Sequence, residues 1–263
     1  MKIFTIFGDP VSHSRSPLMH NHVFKMLGVN SCYTRTHLCD GSKLREIFFA
    51  KALSGANITV PHKEAAFEAC DEIRGLAKEI GAVNTIINEN GRLIGYNTDA
   101  DGFISAIQSF GSLRNALILG AGGTAKALAT VLRQNNIEPV ILNRSANRLH
   151  YFTHSGFLAY DWVTFVPDSY DLIINTTSAG LSDDCLPVDA SLLAHLLSSA
   201  RCAIDVIYGK ETPFLREVKK ANLPFKDGSD MLLEQGILAN YLFMHGLIST
   251  DIIRPIMKES FLY

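Results

Sequence analysis

The fold of the second half of this 263-residue chain is indicated by ten residues, Ala116-Leu117-Ile118-Leu119-Gly120-Ala121-Gly122-Gly123-Thr124-Ala125. An apolar strand pattern ends directly in a glycine-rich turn, and an alanine-rich helix pattern follows over Ala125–Leu132. The turn matches G-x-G-x-x-A: Gly120 permits a tight turn, Gly122 lets the backbone approach a pyrophosphate, and Ala125 keeps the helix close to the sheet. Unpaired N–H groups and the dipole at the start of such a helix hold phosphates. The stretch therefore predicts a Rossmann-like, dinucleotide-binding domain; the alternative is a turn that only serves packing.

The strand that follows ends without the acid that is typical of NAD sites. Pro139-Val140-Ile141-Leu142 leads into Asn143-Arg144-Ser145, and Arg148 comes one helical turn later. In an NAD site, an Asp or Glu about 20 residues after the glycines binds the ribose 2′-OH. No carboxylate is present here to repel a 2′-phosphate, and a planar guanidinium binds phosphate through paired hydrogen bonds. The strand end therefore favours NADP over NAD, the alternative being that both arginines are solvated surface residues.

Strand and helix patterns alternate on both sides of this stretch, which predicts an α/β fold with βαβ units and mainly parallel sheets. A predicted helix at Ala100–Phe110 lies near the expected domain boundary. Asn90-Gly91, in which both residues tolerate positive φ, predicts a hairpin and hence one antiparallel pair of strands. Two helices, Met231–His245 and Ile252–Leu262, are predicted to end the chain. The predicted strands are Ile3–Phe7, Tyr33–Leu38, Ala56–Val60, Val83–Asn88, Leu93–Tyr96, Ala116–Leu119, Pro139–Leu142, Leu172–Asn175 and Ala203–Ile207.

The composition argues against several classes of protein. Hydrophobic residues make up 47% of the chain and charged residues 19%, and the net charge of −2 provides no basic field for a nucleic acid. The five cysteines form no C-x-x-C pair, so we expect free thiols in a reducing cytosol rather than disulfides or a metal site. The apolar N-terminus is too short for a signal peptide, and no apolar run has transmembrane length. We expect a cytoplasmic protein that binds no membrane, nucleic acid or metal.

A serine-rich turn follows the first predicted strand. The segment Gly8–Pro17 contains Ser14 and Ser16, whose hydroxyl and backbone N–H groups can donate hydrogen bonds to a carboxylate. The structural alternative is that Ser16 is the N-cap of a helix in which Pro17 takes the first position. The two interpretations are compatible with each other.

Three further polar residues stand at the ends of first-half elements. Lys63 comes just after a strand, where open α/β sheets bind ligands, and a lysine there can act as a general acid or as a fixed positive charge. Asn84 and Asp99 flank the predicted hairpin. The alternative interpretation of Lys63 alone is a solvated surface lysine, and the alternative interpretation of Asp99 alone is a helix cap.

Taken together, the motifs resemble those of the shikimate dehydrogenases, in the same order and over nearly the whole chain. The shared motifs are Gly8-x-Pro10-x-x-His13-Ser14-x-Ser16-Pro17, Asn57-Ile58-Thr59-Val60-Pro61-x-Lys63, Gly81-Ala82-Val83-Asn84-Thr85, Asn97-Thr98-Asp99, Gly120-Ala121-Gly122-Gly123, Asn143-Arg144-Ser145, Asn175-x-x-Ser178-x-Gly180, Asp205-x-x-Tyr208, Thr212-Pro213 and Asp227-Gly228 leading to Met231-Leu232-x-x-Gln235.

The resemblance implies reversible reduction of 3-dehydroshikimate to shikimate with NADPH, in the biosynthesis of aromatic amino acids. It implies that Lys63 and Asp99 form the catalytic pair, with Lys63 at the reacting oxygen and Asp99 orienting it. The implied substrate-binding residues are Ser14, Ser16 and Tyr208 at the carboxylate, and Thr59, Asn84, Asp99 and Gln235 at the ring hydroxyls. The implied NADP(H)-binding residues are Gly120, Ala121, Gly122, Gly123, Thr124, Asn143, Arg144, Ser145, Arg148, Thr176, Ile207 and Gly228.

The resemblance also implies two domains. Residues 1–103 and 236–263 would form an N-terminal, mainly parallel α/β substrate domain to which the C-terminal helices return, and residues 104–235 a Rossmann-like NADP-binding domain. Gln235 would lie at the start of the long helix near the C-terminus. We expect a monomer or a homodimer. The sequence departs from the family pattern at Ala100, where glycine is common, at Gly209, where proline is common, and at Asp230, where a small or apolar residue is common.

Three other functions stay open at this point. The first is a quinate/shikimate dehydrogenase that uses NAD, although that branch tends to carry an acid where Asn143-Arg144 stands. The second is a methylenetetrahydrofolate dehydrogenase, which the serine-rich turn disfavours. The third is a non-catalytic NADP-binding sensor, which has no need of both Lys63 and Asp99.

Overall fold

The computed structural model of the chain describes residues 1–262. These residues form two compact units, the first made of residues 1–102 and 233–262 and the second of residues 103–232. Each unit contains one six-stranded sheet. Among the described residues, no helix combines the length and the apolar character that crossing a membrane requires.

Strands and helices alternate along the chain as the patterns predict. The first sheet consists of β1 (Lys2–Gly8), β2 (Ser31–His37), β3 (Gly55–Ile58), β4 (Glu72–Ile73), β5 (Thr85–Glu89) and β6 (Arg92–Tyr96). The helices over this part are α1 (Ser16–Met26), α2 (Leu44–Ala50), α3 (Lys63–Ala69), α4 (Ala77–Ile80) and α5 (Thr98–Ile107), with 3₁₀ turns at Gly41–Lys43 and Gln108–Phe110.

The remaining elements follow the same alternation. The second sheet consists of β7 (Asn115–Leu119), β8 (Glu138–Asn143), β9 (Leu158–Asp161), β10 (Leu172–Asn175), β11 (Cys202–Asp205) and β12 (Phe225–Lys226). The helices are α6 (Gly123–Gln134), α7 (His150–His154), α8 (Ala190–Ser199), α9 (Pro213–Lys220), α10 (Ser229–Phe243) and α11 (Thr250–Glu259), with 3₁₀ turns at Ala146–Arg148 and Ser260–Leu262. The patterns did not predict the short strands β4, β9 and β12.

The first sheet is mixed, with strand order β2-β1-β3-β5-β6-β4. The hairpin between β5 and β6 turns at Asn90 and Gly91, whose φ angles of 55° and 84° confirm the predicted turn. The sequence predicted one antiparallel pair, whereas this sheet has two, because β5 runs antiparallel to both of its neighbours, β3 and β6. The other pairings in this sheet are parallel.

Both faces of the first sheet are covered by apolar side chains. Phe7 and Phe48 belong to the cluster on one face. Phe4, Phe24 and Phe243 belong to the other, and the rings of Phe4 and Phe243 lie 4.6 Å apart. Because Phe243 ends α10, this helix packs its C-terminal end into the core of the first unit.

The second sheet is parallel throughout, with order β12-β11-β10-β7-β8-β9. Numbered within the unit from β7, this is the order 3-2-1-4-5-6 of the Rossmann fold, read from the other edge. Leu117, Ile118 and Ile173 in its central strands have no exposed surface, as expected where helices cover both faces. The glycine-rich stretch leads from the central strand β7 into α6.

Neither of the two helix caps considered as structural alternatives is formed. Helix α1 begins at Ser16 itself, and the Ser14 hydroxyl accepts a hydrogen bond from the Ser16 N–H at 3.3 Å. Helix α5 begins at Thr98, so Asp99 lies inside the first turn. The Asn97 side chain takes the capping role instead, since its Oδ1 accepts from the N–H groups of Asp99 and Ala100. The Asp99 carboxylate is therefore left available for another partner.

Candidate active site

A short ion pair joins the two residues expected to be catalytic. Lys63 Nζ donates to Asp99 Oδ2 at 2.6 Å, and only 13% and 11% of the two side chains are exposed. Lys63 begins α3, and its carbonyl accepts from the N–H of Val83, which holds the start of the helix against the segment leading into β5. A largely buried ammonium beside a carboxylate places a proton donor and its orienting anion together.

Asn84 connects this pair to the sheet. Its Oδ1 accepts from the Thr98 N–H at 2.8 Å, and its Nδ2 donates to the Thr98 hydroxyl at 3.0 Å. Because Thr98 directly precedes Asp99, the first turn of α5 is tied to Asn84. Asn84 is only 3% exposed. The side chain predicted to contact a ring hydroxyl is thus already oriented by the backbone.

The two predicted carboxylate ligands of the serine turn lie side by side. Ser14 Oγ donates to Ser16 Oγ at 3.2 Å, and both serines are buried. Arg35 on β2 donates from Nε and from Nη2 to the Ser14 carbonyl, at 3.1 and 2.6 Å. Arg35 was absent from the predicted site, because nothing local in the sequence indicates a contact across two strands.

Gly8 brings the serine turn close to Thr59. A Cβ at Gly8 would lie 2.4 Å from Thr59 Cγ2, so a residue with a side chain would collide there. The Thr59 N–H donates to the Phe7 carbonyl, which continues the pairing of β1 with the segment after β3. Thr59 and the serine turn therefore both lie at the carboxyl ends of adjacent parallel strands.

Gln235 lies where helices α5 and α10 approach each other closely. A Cβ at Gly102 of α5 would lie 2.7 Å from the Gln235 backbone nitrogen, so these helices pack backbone to backbone at this point. Asp99 and Gly102 lie on consecutive turns of α5. The expectation that Gln235 starts its helix is wrong, because α10 begins at Ser229 and Gln235 lies near its middle.

The glycine turn of the second unit has the features of a phosphate cradle. Gly120 has φ of 110°, and a Cβ there would lie 2.7 Å from Thr176 Oγ1, so only glycine fits. Gly122 is the N-cap of α6 with no side-chain hydrogen bond, and a Cβ on it would meet nothing within 4 Å. The space in front of the helix is open, and no side chain caps the helix. This arrangement fits a dinucleotide pyrophosphate.

The end of β8 fits a 2′-phosphate. Asn143 Nδ2 donates to the Ser145 carbonyl at 2.9 Å, which shapes the turn. Arg144 is exposed, and so is Arg148, which belongs to a 3₁₀ turn rather than an α-helical one. Within residues 1–262, neither arginine has an ion-pair partner, so both guanidinium groups have unused donors.

A second close backbone approach lies at the end of β11. A Cβ at Gly228 would lie 2.1 Å from the Val206 carbonyl oxygen, which excludes any larger residue. Ile207 is held by a hydrogen bond from its N–H to Asp205 Oδ1 at 3.0 Å, and burial raises the pKa of Asp205. The segment that carries Ile207 is thereby held beside Gly228.

The structure explains two of the departures from the family pattern and locates Tyr208. Gly209 has φ of 78°, which proline cannot adopt, so the absence of proline fits the local backbone. Asp230 pairs with Lys226 at 2.5 Å on the surface. Tyr208 is partly buried and belongs to the second unit, whereas all the other predicted substrate ligands belong to the first.

Comparison with known proteins assigns the chain to a family. Residues 6–86 match the family model of the shikimate dehydrogenase substrate binding domain. The chain is 48% identical to a shikimate dehydrogenase (NADP(+)) of Helicobacter hepaticus over 242 residues, covering 91% of this chain and 90% of that one. It is 42% identical to the enzyme of the same name from Helicobacter pylori strain P12 over 266 residues, covering 99% of both chains.

Solved structures agree with these relatives. A shikimate dehydrogenase of Peptoclostridium difficile superposes with a TM-score of 0.86 at 31% identity, covering 100% of this chain and 98% of that one. The Thermus thermophilus enzyme, solved with NADP(H) and shikimate, gives 0.83 at 34% identity, with 99% and 100% covered. On both the sequence and the fold, the chain belongs to the shikimate dehydrogenase family.

Proposed function

We propose that this chain catalyses the reversible reduction of 3-dehydroshikimate to shikimate with NADPH, in the biosynthesis of aromatic amino acids. The observation that carries the proposal is the largely buried Lys63–Asp99 ion pair beside Asn84. In this proposal residues 1–103 and 236–263 form the substrate domain and residues 104–235 form the NADP(H)-binding domain, with the substrate ligand Gln235 at the boundary. The relatives are named for NADP(+), and a neighbouring structure holds both NADP(H) and shikimate.

The substrate would be held through its carboxylate and its ring hydroxyls. Ser14 and Ser16 offer two adjacent hydroxyl donors for the carboxylate. Asn84 and Asp99, on elements joined through Thr98, offer partners for the hydroxyls, and Thr59 and Gln235 complete that set. Tyr208, in the second unit, stays a prediction as a further carboxylate ligand.

Lys63 would transfer the proton. When bound, NADPH would supply the hydride for the ketone carbon, and negative charge would develop on the ketone oxygen during that transfer. The Lys63 ammonium stabilises this charge and donates its proton to the oxygen, so that a hydroxyl forms and a neutral amine remains. Asp99 holds Lys63 in place from 2.6 Å. In the reverse direction the neutral amine takes the hydroxyl proton.

The second unit would hold NADP(H) at its open glycine turn and at the end of β8. Arg144 and Arg148 supply exposed guanidinium groups for the 2′-phosphate. The proposed ligands are Gly120, Ala121, Gly122, Gly123, Thr124, Asn143, Arg144, Ser145, Arg148, Thr176, Ile207 and Gly228. Several are glycines or supply backbone N–H groups, as pyrophosphate binding at a helix start requires.

An absorbance assay at the NADPH band tests the proposal. Purified protein is mixed with shikimate or quinate and with NADP or NAD. We expect the highest kcat/KM for shikimate with NADP. An absence of signal with shikimate and either cofactor would refute the proposal, and a higher kcat/KM for quinate with NAD would assign the chain to the quinate branch. Binding of NADP without turnover would identify a sensor.

The location and the assembly state of the protein stay predictions. We expect a cytoplasmic protein, in keeping with its free cysteines, and a monomer or homodimer. Cell fractionation tests the first expectation. Light scattering on the purified protein tests the second.

A further inference from the structure

A cluster of three potential metal ligands lies apart from the residues that the proposed reaction uses. Asp9, His37 and Cys39 each contribute one ligand atom, and these carboxylate, imidazole and thiol atoms all lie within 4.8 Å of one another. His37 Nε2 lies 2.8 Å from Asp9 Oδ1 and 3.7 Å from Cys39 Sγ. One imidazole nitrogen therefore lies close to both a carboxylate oxygen and a sulfur.

These three donors suit zinc. Zn²⁺ binds Cys sulfur at about 2.3 Å, His nitrogen at about 2.0–2.1 Å and carboxylate oxygen at about 2.0–2.2 Å, so the ligand atoms of a tetrahedral site lie about 3.3–3.6 Å apart. The sulfur–nitrogen distance of 3.7 Å is close to this spacing, and the nitrogen–oxygen distance of 2.8 Å is that of the hydrogen bond that an ion would replace. Magnesium and calcium prefer oxygen ligands, so the thiol and the imidazole favour zinc over both.

The backbone holds the three residues at the carboxyl ends of two paired strands. Gly8 of β1 lies opposite His37 of β2 in their parallel register, so Asp9, which follows Gly8, lies beside His37. The Leu38 N–H donates to the Gly8 carbonyl at 3.2 Å, which extends the pairing up to the residue before Cys39. The ligands thus lie on neighbouring backbone segments that hydrogen bonds hold together, as a metal site requires.

The cluster is open to solvent. His37 and Asp9 have 58% and 43% of their side chains exposed, and Cys39 is exposed as well. An ion can therefore reach all three ligands, and water can take the fourth position. Small rotations of these exposed side chains are enough to bring the three donors onto one ion.

The spacing of the ligands along the chain explains why the sequence does not indicate this site. Our expectation of no metal rested on the lack of a C-x-x-C pair, which is part of common zinc motifs. Here the ligands are His37-x-Cys39 and an aspartate that lies 28 residues before the histidine. The pairing of β1 with β2 brings the aspartate to the other two.

We propose that Asp9, His37 and Cys39 bind one Zn²⁺ ion, with water as the fourth ligand. The Cys39 thiol releases its proton to solvent as its sulfur binds the ion, and His37 binds through Nε2 in place of its hydrogen bond to Asp9. The proposal goes beyond the proposed function, because the ion takes no part in the transfer of hydride or of a proton to the substrate.

Calorimetric titration of the metal-free, full-length protein with zinc chloride tests the proposal. We expect one ion per chain with a Kd of about 10 µM or below. Cys39→Ser and His37→Gln should each raise this Kd about tenfold or more, at least as much as the loss of a group that only orients a ligand. Cys185→Ser removes another exposed cysteine, in the second unit, and as the matched control should bind zinc as the wild type does.

Cobalt substitution identifies the sulfur ligand. Co²⁺ that is bound by a thiolate absorbs in the near ultraviolet through charge transfer from sulfur to the metal. Wild-type protein and Cys185→Ser should show this band when cobalt chloride is added, and Cys39→Ser should lack it. A band that persists in Cys39→Ser and disappears in Cys185→Ser overturns the proposal.

The remaining outcomes are equally decisive. Wild-type protein that binds no zinc at about 100 µM overturns the proposal, and so does an unchanged Kd in both Cys39→Ser and His37→Gln. Thermal melting without metal checks the fold, and we expect the wild-type curve for both variants because the altered side chains are exposed. The titrations need neither shikimate nor NADP, so failure of the proposed function would leave their result unchanged.

Discussion

At the scale of single residues, Lys63 and Asp99 are candidates for catalysis because of where the fold places them. Lysine and aspartate are both common on protein surfaces. A lysine in the first turn of a helix is ordinarily solvated, but this one is largely buried and bound to a carboxylate. The pairing depends on Asn97, which caps α5 and leaves Asp99 free to face Lys63. If Asp99 capped the helix itself, its carboxylate would accept hydrogen bonds from backbone N–H groups instead of pairing with Lys63.

Replacing Lys63 by alanine tests the assigned proton transfer. We expect kcat for shikimate oxidation to fall about 10²–10⁴-fold, as for loss of a general acid or base, with a much smaller change in KM. Steady-state kinetics at fixed pH measure both constants. Lys51→Ala, which removes an exposed lysine of the first unit, should behave as the wild type. Unchanged turnover in Lys63→Ala would exclude the role.

The arginines after β8 make a second residue-scale prediction. Replacing Arg144 and Arg148 together by alanine removes two exposed guanidinium groups, and we expect the KM for NADP to rise about tenfold or more. The KM for NAD should change little, because NAD has no 2′-phosphate. Initial rates with each cofactor measure the two KM values. A parallel loss with both cofactors would indicate that the arginines do not read the phosphate.

At the scale of elements, the two glycines of the β7–α6 turn have different physical roles. Gly120 has φ of 110° and packs against Thr176, so its requirement for glycine comes from the fold. Gly122 has extended backbone and open space before it, so the fold does not require glycine there, and in our proposal the requirement comes from the bound pyrophosphate. The sequence pattern alone treats both glycines as one motif.

Alanine at each glycine separates the two roles. We expect Gly120→Ala to destabilise the protein by about 1–3 kcal/mol, the usual cost of a strained backbone residue. Gly122→Ala should melt within about 2 °C of the wild type, because its Cβ meets nothing, and should raise the KM for NADP about tenfold or more. Thermal melting followed by circular dichroism, and kinetics with NADP, measure these effects. A normal KM for NADP in a stable Gly122→Ala would count against pyrophosphate binding at the turn.

At the scale of the whole molecule, each unit has its own sheet, and each sheet places polar residues at the carboxyl ends of its strands. The first unit contains segments from both ends of the chain. Helix α10 belongs to the later segment and packs Phe243 beside Phe4 in the core. The buried His20 also takes part in the packing between these two segments, since it contacts Asn240 of α10. The stability of the first unit should therefore respond to the protonation of His20.

The pH dependence of unfolding tests this coupling. The folded pKa of His20 is about 3 and the ordinary value is 6.5, so between these values the unfolded chain binds the extra proton. Stability is therefore complete above about pH 6.5 and is lost as the pH falls towards 3, by about 2 kcal/mol between pH 7.5 and 5. Urea unfolding at both pH values measures the loss. His20→Gln should lose about 2 kcal/mol less than the wild type over that interval, and an identical loss would contradict the assignment.

Much of the fold could be predicted because it depends on local patterns. Leu117 and Ile118 indicate a strand buried on both faces, and Asn90-Gly91 indicates a hairpin, whatever the rest of the chain does. The strands β4 and β12 were missed because two residues carry no periodicity, and β9 was missed because this edge strand contains no buried apolar run. The second antiparallel pairing of β5 was missed because strand order depends on contacts between segments that are distant in sequence.

Residue types and their order along the chain were enough to predict the alternation of strands and helices, the glycine turn, the absence of an acid after β8, and the family to which the comparisons also assign the chain. These depend on neighbours in the chain and on residue type. Contacts between distant parts of the chain were needed to show that Asn97 rather than Asp99 caps α5 and that Arg35 holds the Ser14 carbonyl. Such contacts are decided when packing removes water from polar groups, because each buried donor or acceptor must then take the partner that the fold provides.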